Sequence, residues 1–147
     1  MNALITGSNR GIGLALAAEF AAHGWNVFAT ARKPPIPELE KFENVTVLPL
    51  DVTDDASVAQ LAASLTVPID VLVNNAAVFR DASVHSAPIE EVRGLIAANL
   101  DLAVVGCAVA VRRFLDAGTG GAVVNVTSHQ ARRAVPGSLP DATGQAG

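Results

Sequence analysis

The fold of this chain is decided by one short stretch, Thr6-Gly7-Ser8-Asn9-Arg10-Gly11-Ile12-Gly13. A β-rich run, Ala3-Leu4-Ile5, precedes it, and apolar residues at helical spacing follow it as far as Phe20. This order predicts a strand, a glycine-rich turn and a helix. The backbone N–H groups of such a turn and the positive end of the helix are suited to holding a pyrophosphate. Because glycine turns are common, the three glycines alone predict this function only weakly.

Strands and helices alternate along the remaining sequence. Further strands are predicted near residues 26–30, 45–48, 71–73 and 122–126, each expected to be buried on both faces. Gly24 is expected to end the first helix, Thr53 to cap a second, and Pro88 to open a longer one that reaches about Leu115. Prolines at 34, 35 and 37 predict a stiff loop. The alternation predicts a single α/β domain over residues 1–147, a Rossmann-type doubly wound parallel sheet of order 3-2-1-4-5, truncated after the fifth strand.

Composition narrows the expected partners. Half of the 147 residues are apolar, 16% are charged and the net charge is -4, so we expect no basic surface for nucleic acid or a membrane. The longest uncharged apolar stretch, residues 102–111, is about half as long as a membrane-spanning helix. No signal segment is visible, so the cytoplasm is the expected compartment. Cys107 is the single cysteine and is expected to be a buried, inert thiol, and no metal site is expected.

Two further motifs support the interpretation of the glycine turn. Asp51-Val52 follows the third predicted strand, and Asn74-Asn75-Ala76 follows the fourth. Together with the T-G-x-x-x-G-x-G spacing of the turn, this order resembles the short-chain dehydrogenase/reductase family over the whole chain. The resemblance implies a nicotinamide dinucleotide cofactor. It also implies an oxidoreductase that moves a hydride between this cofactor and a small carbonyl or alcohol substrate.

The resemblance implies a role for each matching residue. Around the pyrophosphate and the adenosine ribose it places the residues of the turn, Gly7, Ser8, Asn9, Arg10, Gly11, Ile12 and Gly13. Asp51 and Val52 would flank the adenine. Asn75, beside Ala76, would meet the nicotinamide ribose, while the amide of Asn74 would tie neighbouring strands together.

The asparagine motif departs from the family at one position. The family continues it with glycine, whereas this chain has Ala77, which costs backbone freedom but little chemistry. Taken singly, Asp51 is also explained as a helix-initiating acid, and Asn74 and Asn75 as turn residues at the end of a strand. Their joint order favours the cofactor site.

The residues after the second strand bear on the choice of cofactor. An acidic residue there would hydrogen-bond a ribose 2′-OH and repel a 2′-phosphate. This chain has Thr30-Ala31-Arg32-Lys33 instead, and Arg10 adds a third cation from the glycine turn. Cations suit a phosphorylated ribose, so NADP(H) is favoured over NAD(H). The alternative is that Arg32 and Lys33 are solvated loop residues.

The catalytic residues of the family are only partly present. The resemblance places Asn99 at the position of an asparagine that supports a proton-relay water, and Ser128 at that of a serine that polarises the substrate. A helix-bending polar residue and a strand-end hydroxyl are the alternatives. Asp141 and Gln145 stand where the family has tyrosine and lysine, and the sequence contains no tyrosine. An aspartate with its ordinary pKa of about 3.9 is ionised at neutral pH and has no proton to donate.

Two functions follow from these observations. The first is an oxidoreductase lineage whose chain keeps dinucleotide binding and is inactive without the missing residues. The second is a non-catalytic dinucleotide-binding regulatory or assembly subunit. The fifth strand would leave a bare apolar edge, and the long helix with Leu95, Leu102, Val105 and Val109 would add apolar surface. We therefore expect a homo-oligomer or a complementing chain, the alternative being that residues 132–147 fold over the edge.

Overall fold

A computed structural model describes residues 1–78 and 87–128 of the chain. The strands are β1 Asn2–Ile5, β2 Asn26–Ala31, β3 Val45–Pro49, β4 Val71–Asn74 and β5 Ala122–Asn125. The helices are α1 Gly11–Ala22, α2 Asp55–Ser64 and α3 Ile89–Asp116, with a short 3-10 helix at Pro37–Leu39. Each predicted strand and helix is present, and the bounds differ by one or two residues.

The five strands form one parallel sheet. Their order is β3-β2-β1-β4-β5, which confirms the predicted topology. β1 pairs with β2 on one side and with β4 on the other, so the direction in which strands are added reverses between β1 and β4. In sheets of this kind ligands bind outside the carboxyl ends of the strands at that reversal. The glycine turn follows β1 at this point.

The sheet is covered on both faces. One core cluster joins the sheet to α1, where the small residues Ala17 and Ala21 are buried and allow a close approach. Ile36 and Leu39 belong to the same cluster, so the proline-rich loop covers sheet surface with a 3-10 turn. A second cluster packs α2 against the other face and includes Leu61 of that helix.

The expectation that each strand is buried on both faces is wrong for the edge strands. β3 has no fully buried residue, and β5 is mostly exposed, with Val124 47% exposed. The reason is position, because an edge strand has a neighbour on one side only. Cys107 is likewise half-buried, not buried, because α3 lies over β4 and β5 near the edge of the sheet.

The end of α1 and the start of α2 show how local sequence determines helix boundaries. Gly24 follows α1 with a φ of +79°, and the adjacent Trp25 N–H donates to the Phe20 carbonyl, as expected for a glycine helix stop. The predicted cap of α2 is wrong by one residue. Asp54 is the N-cap and its carboxylate accepts from Ala56 N at 3.0 Å, while Thr53 bonds to Asp51 instead.

The long helix α3 is anchored to α2 by one arginine. Arg113 donates to the carbonyl oxygens of Ala62 and Leu65, which belong to the last turn and the C-cap of α2. Cations at this position satisfy carbonyl groups that have no partner within the helix. The contact therefore fixes the end of α2 beside α3.

The apolar stripe of α3 that was expected to be exposed is mostly buried or half-buried instead. Leu95 is buried, and Leu102 and Val109 are half-buried, so of the four residues named only Val105 is exposed. A different set forms the bare stripe, at spacings that share one helical face: Leu100, Val104, Val111 and Leu115. A helix that packs on a sheet buries one face. Because α3 has apolar residues on all sides, its sequence pattern did not predict which face is buried.

Among the described residues, α3 is the one helix long and apolar enough, by length and composition, to cross a membrane. Between Arg93 and Arg112 its only charged residue is Asp101. Core helices of soluble proteins have the same length and composition. In this structure α3 packs on β4 and β5.

Candidate functional site

The site lies where β1 and β4 end side by side. Thr6, the residue after β1, joins the two strand ends through its hydroxyl group. The backbone N–H groups of Asn75 and Ala76 donate to Thr6 Oγ1, each at 3.0 Å, and Thr6 Oγ1 lies 3.4 Å from the Val73 carbonyl oxygen to which it donates. The glycine turn and the asparagine motif are therefore held together.

The side chain of Asn75 braces the glycine turn from the other direction. Its Nδ2 donates to the carbonyl oxygens of Thr6 at 2.9 Å and of Gly7 at 3.1 Å. Gly7 has a φ of +69°, and a Cβ added there would lie 2.9 Å from Ala76 Cα. A Cβ at Gly13 would overlap Gly7 O and Asn75 Nδ2. Both glycines are thus required by close backbone approach, which the spacing of the motif predicts.

The start of α1 forms the exposed rim of the turn. Arg10 is its N-cap, with extended backbone, and the Arg10 side chain makes no capping hydrogen bond. Asn9, Arg10 and Gly11 are exposed, and Ile12 is 61% exposed despite being apolar. The first N–H groups of α1 therefore begin at an open surface, where the helix dipole favours an anion.

Ser8 differs from its neighbours in the turn because its side chain is fully buried. Its hydroxyl donates to the Ile5 carbonyl at 2.9 Å, and its N–H donates to the Thr30 carbonyl at 2.8 Å. The structure thus places this predicted contact residue with its hydroxyl inside the protein.

The predicted adenine and 2′-phosphate residues lie at the ends of β2 and β3. Arg32 and Lys33 are exposed, directly after β2. Asp51 Oδ1 accepts from Thr53 N at 3.0 Å and from Thr53 Oγ1 at 2.7 Å. These bonds, with a smaller contribution from the charge of Arg32, hold the pKa of Asp51 below its ordinary value. Val52 is half-buried against the α2 cluster.

Asn74 ties β4 to β5, as expected. Its Nδ2 donates to Asn125 Oδ1 at 2.9 Å, and the two residues are in register across the strands. Cys107 Sγ of α3 lies 3.8 Å from Asn74 Nδ2 and 3.7 Å from Asn125 Oδ1. The thiol therefore contacts amide groups as well as apolar surface.

Asn99 is buried and holds the segment after β4. Its Oδ1 accepts from Val78 N at 2.9 Å, and its Nδ2 donates to the carbonyl oxygens of Val78 at 2.9 Å and Leu95 at 3.1 Å. Ser128 is half-buried, three residues beyond the end of β5. Asp141, Gln145 and residues 132–147 lie outside the described residues.

A mainly enclosed cavity in the described structure lies away from the glycine turn. Its volume is about 120 Å³, and it lies between α2, α3 and the sheet, on the face opposite α1. Its lining is mainly apolar, with Asn99 and Asn74 among its polar residues. In residues 1–78 and 87–128 no group of His, Cys, Asp or Glu side chains could hold a metal ion.

A family model described as short chain dehydrogenase matches residues 1–143. The chain belongs to this family. Among curated relatives of this short-chain dehydrogenase is the oxidoreductase BOA17 of Botryotinia fuckeliana (strain B05.10). It is 37% identical over 140 residues, which are 90% of this chain and 51% of that protein. The NADP-dependent (R)-specific alcohol dehydrogenase of Lentilactobacillus kefiri is 29% identical over 86% of this chain and 53% of its own length. This chain thus spans about half the length of these relatives.

Solved structures give the same fold. Serine dehydrogenase from Escherichia coli superposes with a TM-score of 0.87 at 26% identity, over 99% of this chain and 70% of that one. A closed form of serine dehydrogenase complexed with NADP+ superposes with a TM-score of 0.85 at 25% identity, over 99% and 61%. The likeness covers the sheet, the turn and both motifs of the short-chain dehydrogenase.

Sequence reasoning missed three hydroxyl residues that shape this site: Thr6, Thr30 and Thr53. Thr6 stands first in the T-G motif, and its position directly after an apolar strand was a usable signal. Thr53 follows Asp51 by two residues, the spacing at which an aspartate bonds to backbone and hydroxyl groups of a turn. Thr30 gives no local signal, because its partner, Ile5, is distant in sequence.

Proposed function

We propose that this chain binds a nicotinamide dinucleotide at the carboxyl ends of β1, β2 and β4, with its pyrophosphate on the glycine turn. One observation carries the proposal: the turn is braced by Asn75 from below and opens on the uncapped start of α1. Oriented N–H groups and a helix N-terminus form an anion site. The residues proposed to line it are Gly7, Asn9, Arg10, Gly11, Ile12 and Gly13, with Arg32, Asp51, Val52, Asn74, Asn75 and Ala76, while the buried Ser8 supports the turn from inside the protein.

The proposal extends to NADP(H) in preference to NAD(H). Arg10 and Arg32 are both exposed. The segments that carry them are neighbours, because the Ser8 N–H donates to the Thr30 carbonyl. Residues 26–33 contain no acidic side chain to repel a 2′-phosphate. Two relatives described above carry NADP in their names or titles, which supports the same cofactor class here. Arginine pairs with phosphate through two parallel hydrogen bonds.

We propose that this chain by itself does not catalyse the hydride transfer of the family. Asn99 and Ser128 remain at family positions, but the chain has no tyrosine to exchange a proton with a carbonyl oxygen. A positioned acid or base contributes roughly 10²–10⁴-fold to the rate. We therefore expect carbonyl-dependent NADPH oxidation by the purified chain to stay at the level of a protein-free control. Steady turnover that copurifies with the chain would contradict this expectation.

The alternative function is a non-catalytic dinucleotide-binding regulatory or assembly subunit. It is favoured by the same lack of tyrosine combined with an intact glycine turn. Activity measurements on mixtures of the chain with candidate partner proteins distinguish the two functions. An oxidoreductase lineage gains turnover from a completing chain, whereas a regulatory subunit changes the activity of an enzyme that is already complete.

We also propose that the chain associates through α3 and β5. Leu100, Val104, Val111 and Leu115 of α3 are exposed, Val124 of β5 is exposed as well, and no described strand covers the outer edge of β5. Exposed apolar patches and free strand edges are typical of interfaces. Light scattering is expected to show a mass above the 15.0 kDa of one chain.

A charge in this stripe should disrupt the assembly. Val104→Lys is expected to give a monomer or a precipitate, because a buried lysine without a partner is costly. Gln60→Lys, at an exposed position of α2, is the matched control and should leave the mass unchanged. A wild-type chain that stays monomeric at high micromolar concentration would refute the association.

A further inference from the structure

Two buried hydroxyl groups converge on one backbone carbonyl beneath the glycine turn. Ser8 Oγ donates to Ile5 O at 2.9 Å, and Thr30 Oγ1 donates to the same oxygen at 3.3 Å. Ser8 is 0% exposed and Thr30 is 1% exposed. The N–H of Ser8 also donates to the Thr30 carbonyl at 2.8 Å, which closes the group. We call these three residues the Ile5 clasp.

The clasp joins the two segments that carry the proposed 2′-phosphate residues. Arg10 lies two residues beyond Ser8, and Arg32 lies two residues beyond Thr30. Both arginines are exposed, so no packing of their own side chains fixes where the two segments lie. The separation of these segments is set below them, where Ser8 and Thr30 are bonded. Buried hydrogen-bonded groups of this kind hold a single geometry, because an unmade bond is costly there.

We propose that Thr30 is a positioning residue for cofactor discrimination, which acts with Ser8 through the Ile5 carbonyl to hold Arg10 and Arg32 at the spacing of one ribose 2′-phosphate. The inference rests on the proposed function, since it assumes that these arginines bind the phosphate. Thr30 itself touches no cofactor, because its side chain is inside the protein.

The Ile5 clasp is expected to affect binding of the 2′-phosphate and not binding of the pyrophosphate. A pyrophosphate rests on the turn through backbone N–H groups, which Asn75 and Thr6 continue to hold. In the proposed site two arginines contact one 2′-phosphate, and such simultaneous contact is sensitive to small displacements. Loss of the Thr30 hydroxyl should therefore weaken binding of a 2′-phosphorylated nucleotide more than binding of its 2′-hydroxyl counterpart.

The test compares the dissociation constants of 2′,5′-ADP and 5′-AMP, which differ at the 2′ position. For Thr30→Val, which keeps the shape and removes the hydroxyl, the preference for 2′,5′-ADP is expected to fall about fivefold, the size of one neutral hydrogen bond. Thr30→Ser keeps the hydroxyl and should restore the preference. Thr46→Val, the same change at an exposed position of the neighbouring β3, should leave it unchanged. Circular dichroism establishes that each variant is folded.

The outcomes separate the clasp from the proposed function. If the wild-type chain prefers 2′,5′-ADP and Thr30→Val keeps that preference, Thr30 has no positioning role while the cofactor proposal stands. An equal loss for both nucleotides would show a merely structural role and would also overturn the inference. If the wild-type chain shows no preference, the proposed preference for NADP(H) fails and the inference fails with it. Should Thr30→Val not fold, Ser8→Ala gives the same comparison.

Discussion

Gly13→Ala is expected to destabilise the chain and to weaken dinucleotide binding strongly. The added methyl group would overlap Gly7 O and Asn75 Nδ2, and neither group can retreat, because Asn75 also donates to Thr6 O. Overpacking of this kind costs about 1–3 kcal/mol. A shift of the turn by about 1 Å should weaken NADPH binding on the order of a hundredfold. Chemical denaturation and calorimetric titration measure the two effects.

The matched control for this change is Gly94→Ala in α3. Nothing lies within 4 Å of a Cβ at Gly94, and alanine favours a helix interior by about 1 kcal/mol over glycine. The control variant should therefore be slightly more stable and should bind NADPH like the wild-type chain. A Gly13→Ala variant with wild-type stability and affinity would show that the turn is not closed on Asn75 as described.

Arg10→Ala is expected to have the second-largest effect, and to act on one cofactor only. Arg10 stands at the N-cap of α1, where its side chain makes no capping bond and is exposed to a ligand. A charge-assisted hydrogen bond contributes about 1.5–3 kcal/mol, so Kd for NADPH should rise about 10- to 150-fold. Kd for NADH, which has no 2′-phosphate, should change little. Arg32→Ala should likewise raise Kd for NADPH and leave Kd for NADH nearly unchanged.

Arg112→Ala is the control for loss of a cation. Arg112 is exposed near the end of α3. Because β5 begins soon after this helix ends, Arg112 lies toward the amino ends of the strands, away from the carboxyl ends where the cofactor is proposed to bind. Its replacement changes the net charge equally but should leave both dissociation constants unchanged. Equal losses for NADPH and NADH in Arg10→Ala would remove Arg10 from the 2′-phosphate site.

The sequence was sufficient for the topology because its signals are local. Gly24 stops α1 with a positive φ, and the alternation of strands and helices leaves one economical order for a parallel sheet. The same holds for Gly7 and Gly13, whose spacing requires a close approach of the backbone. The contact of Asn75 with the turn also follows from the order of strands, since β1 and β4 end at the same edge.

Features that depend on distant partners could not be predicted. The burial of Ser8 depends on Ile5 and Thr30, and nothing in the turn itself distinguishes Ser8 from the exposed Asn9. The exposure of β5 depends on which strand lies beyond it, although its residues are as apolar as those of a central strand. The cap of α2 was misplaced because Thr53 and Asp54 both suit an N-cap, and the bond of Thr53 to Asp51 decides between them.

The most direct test of the account is a calorimetric titration of the purified chain with NADPH and, separately, with NADH. We predict that one dinucleotide binds per chain and that NADPH binds at least about tenfold more tightly than NADH, the contribution of at least one charge-assisted contact to the 2′-phosphate. Absence of heat with either cofactor, under conditions where the chain is folded, would contradict the proposal that this turn binds a dinucleotide. Equal affinities would contradict the assignment of Arg10 and Arg32.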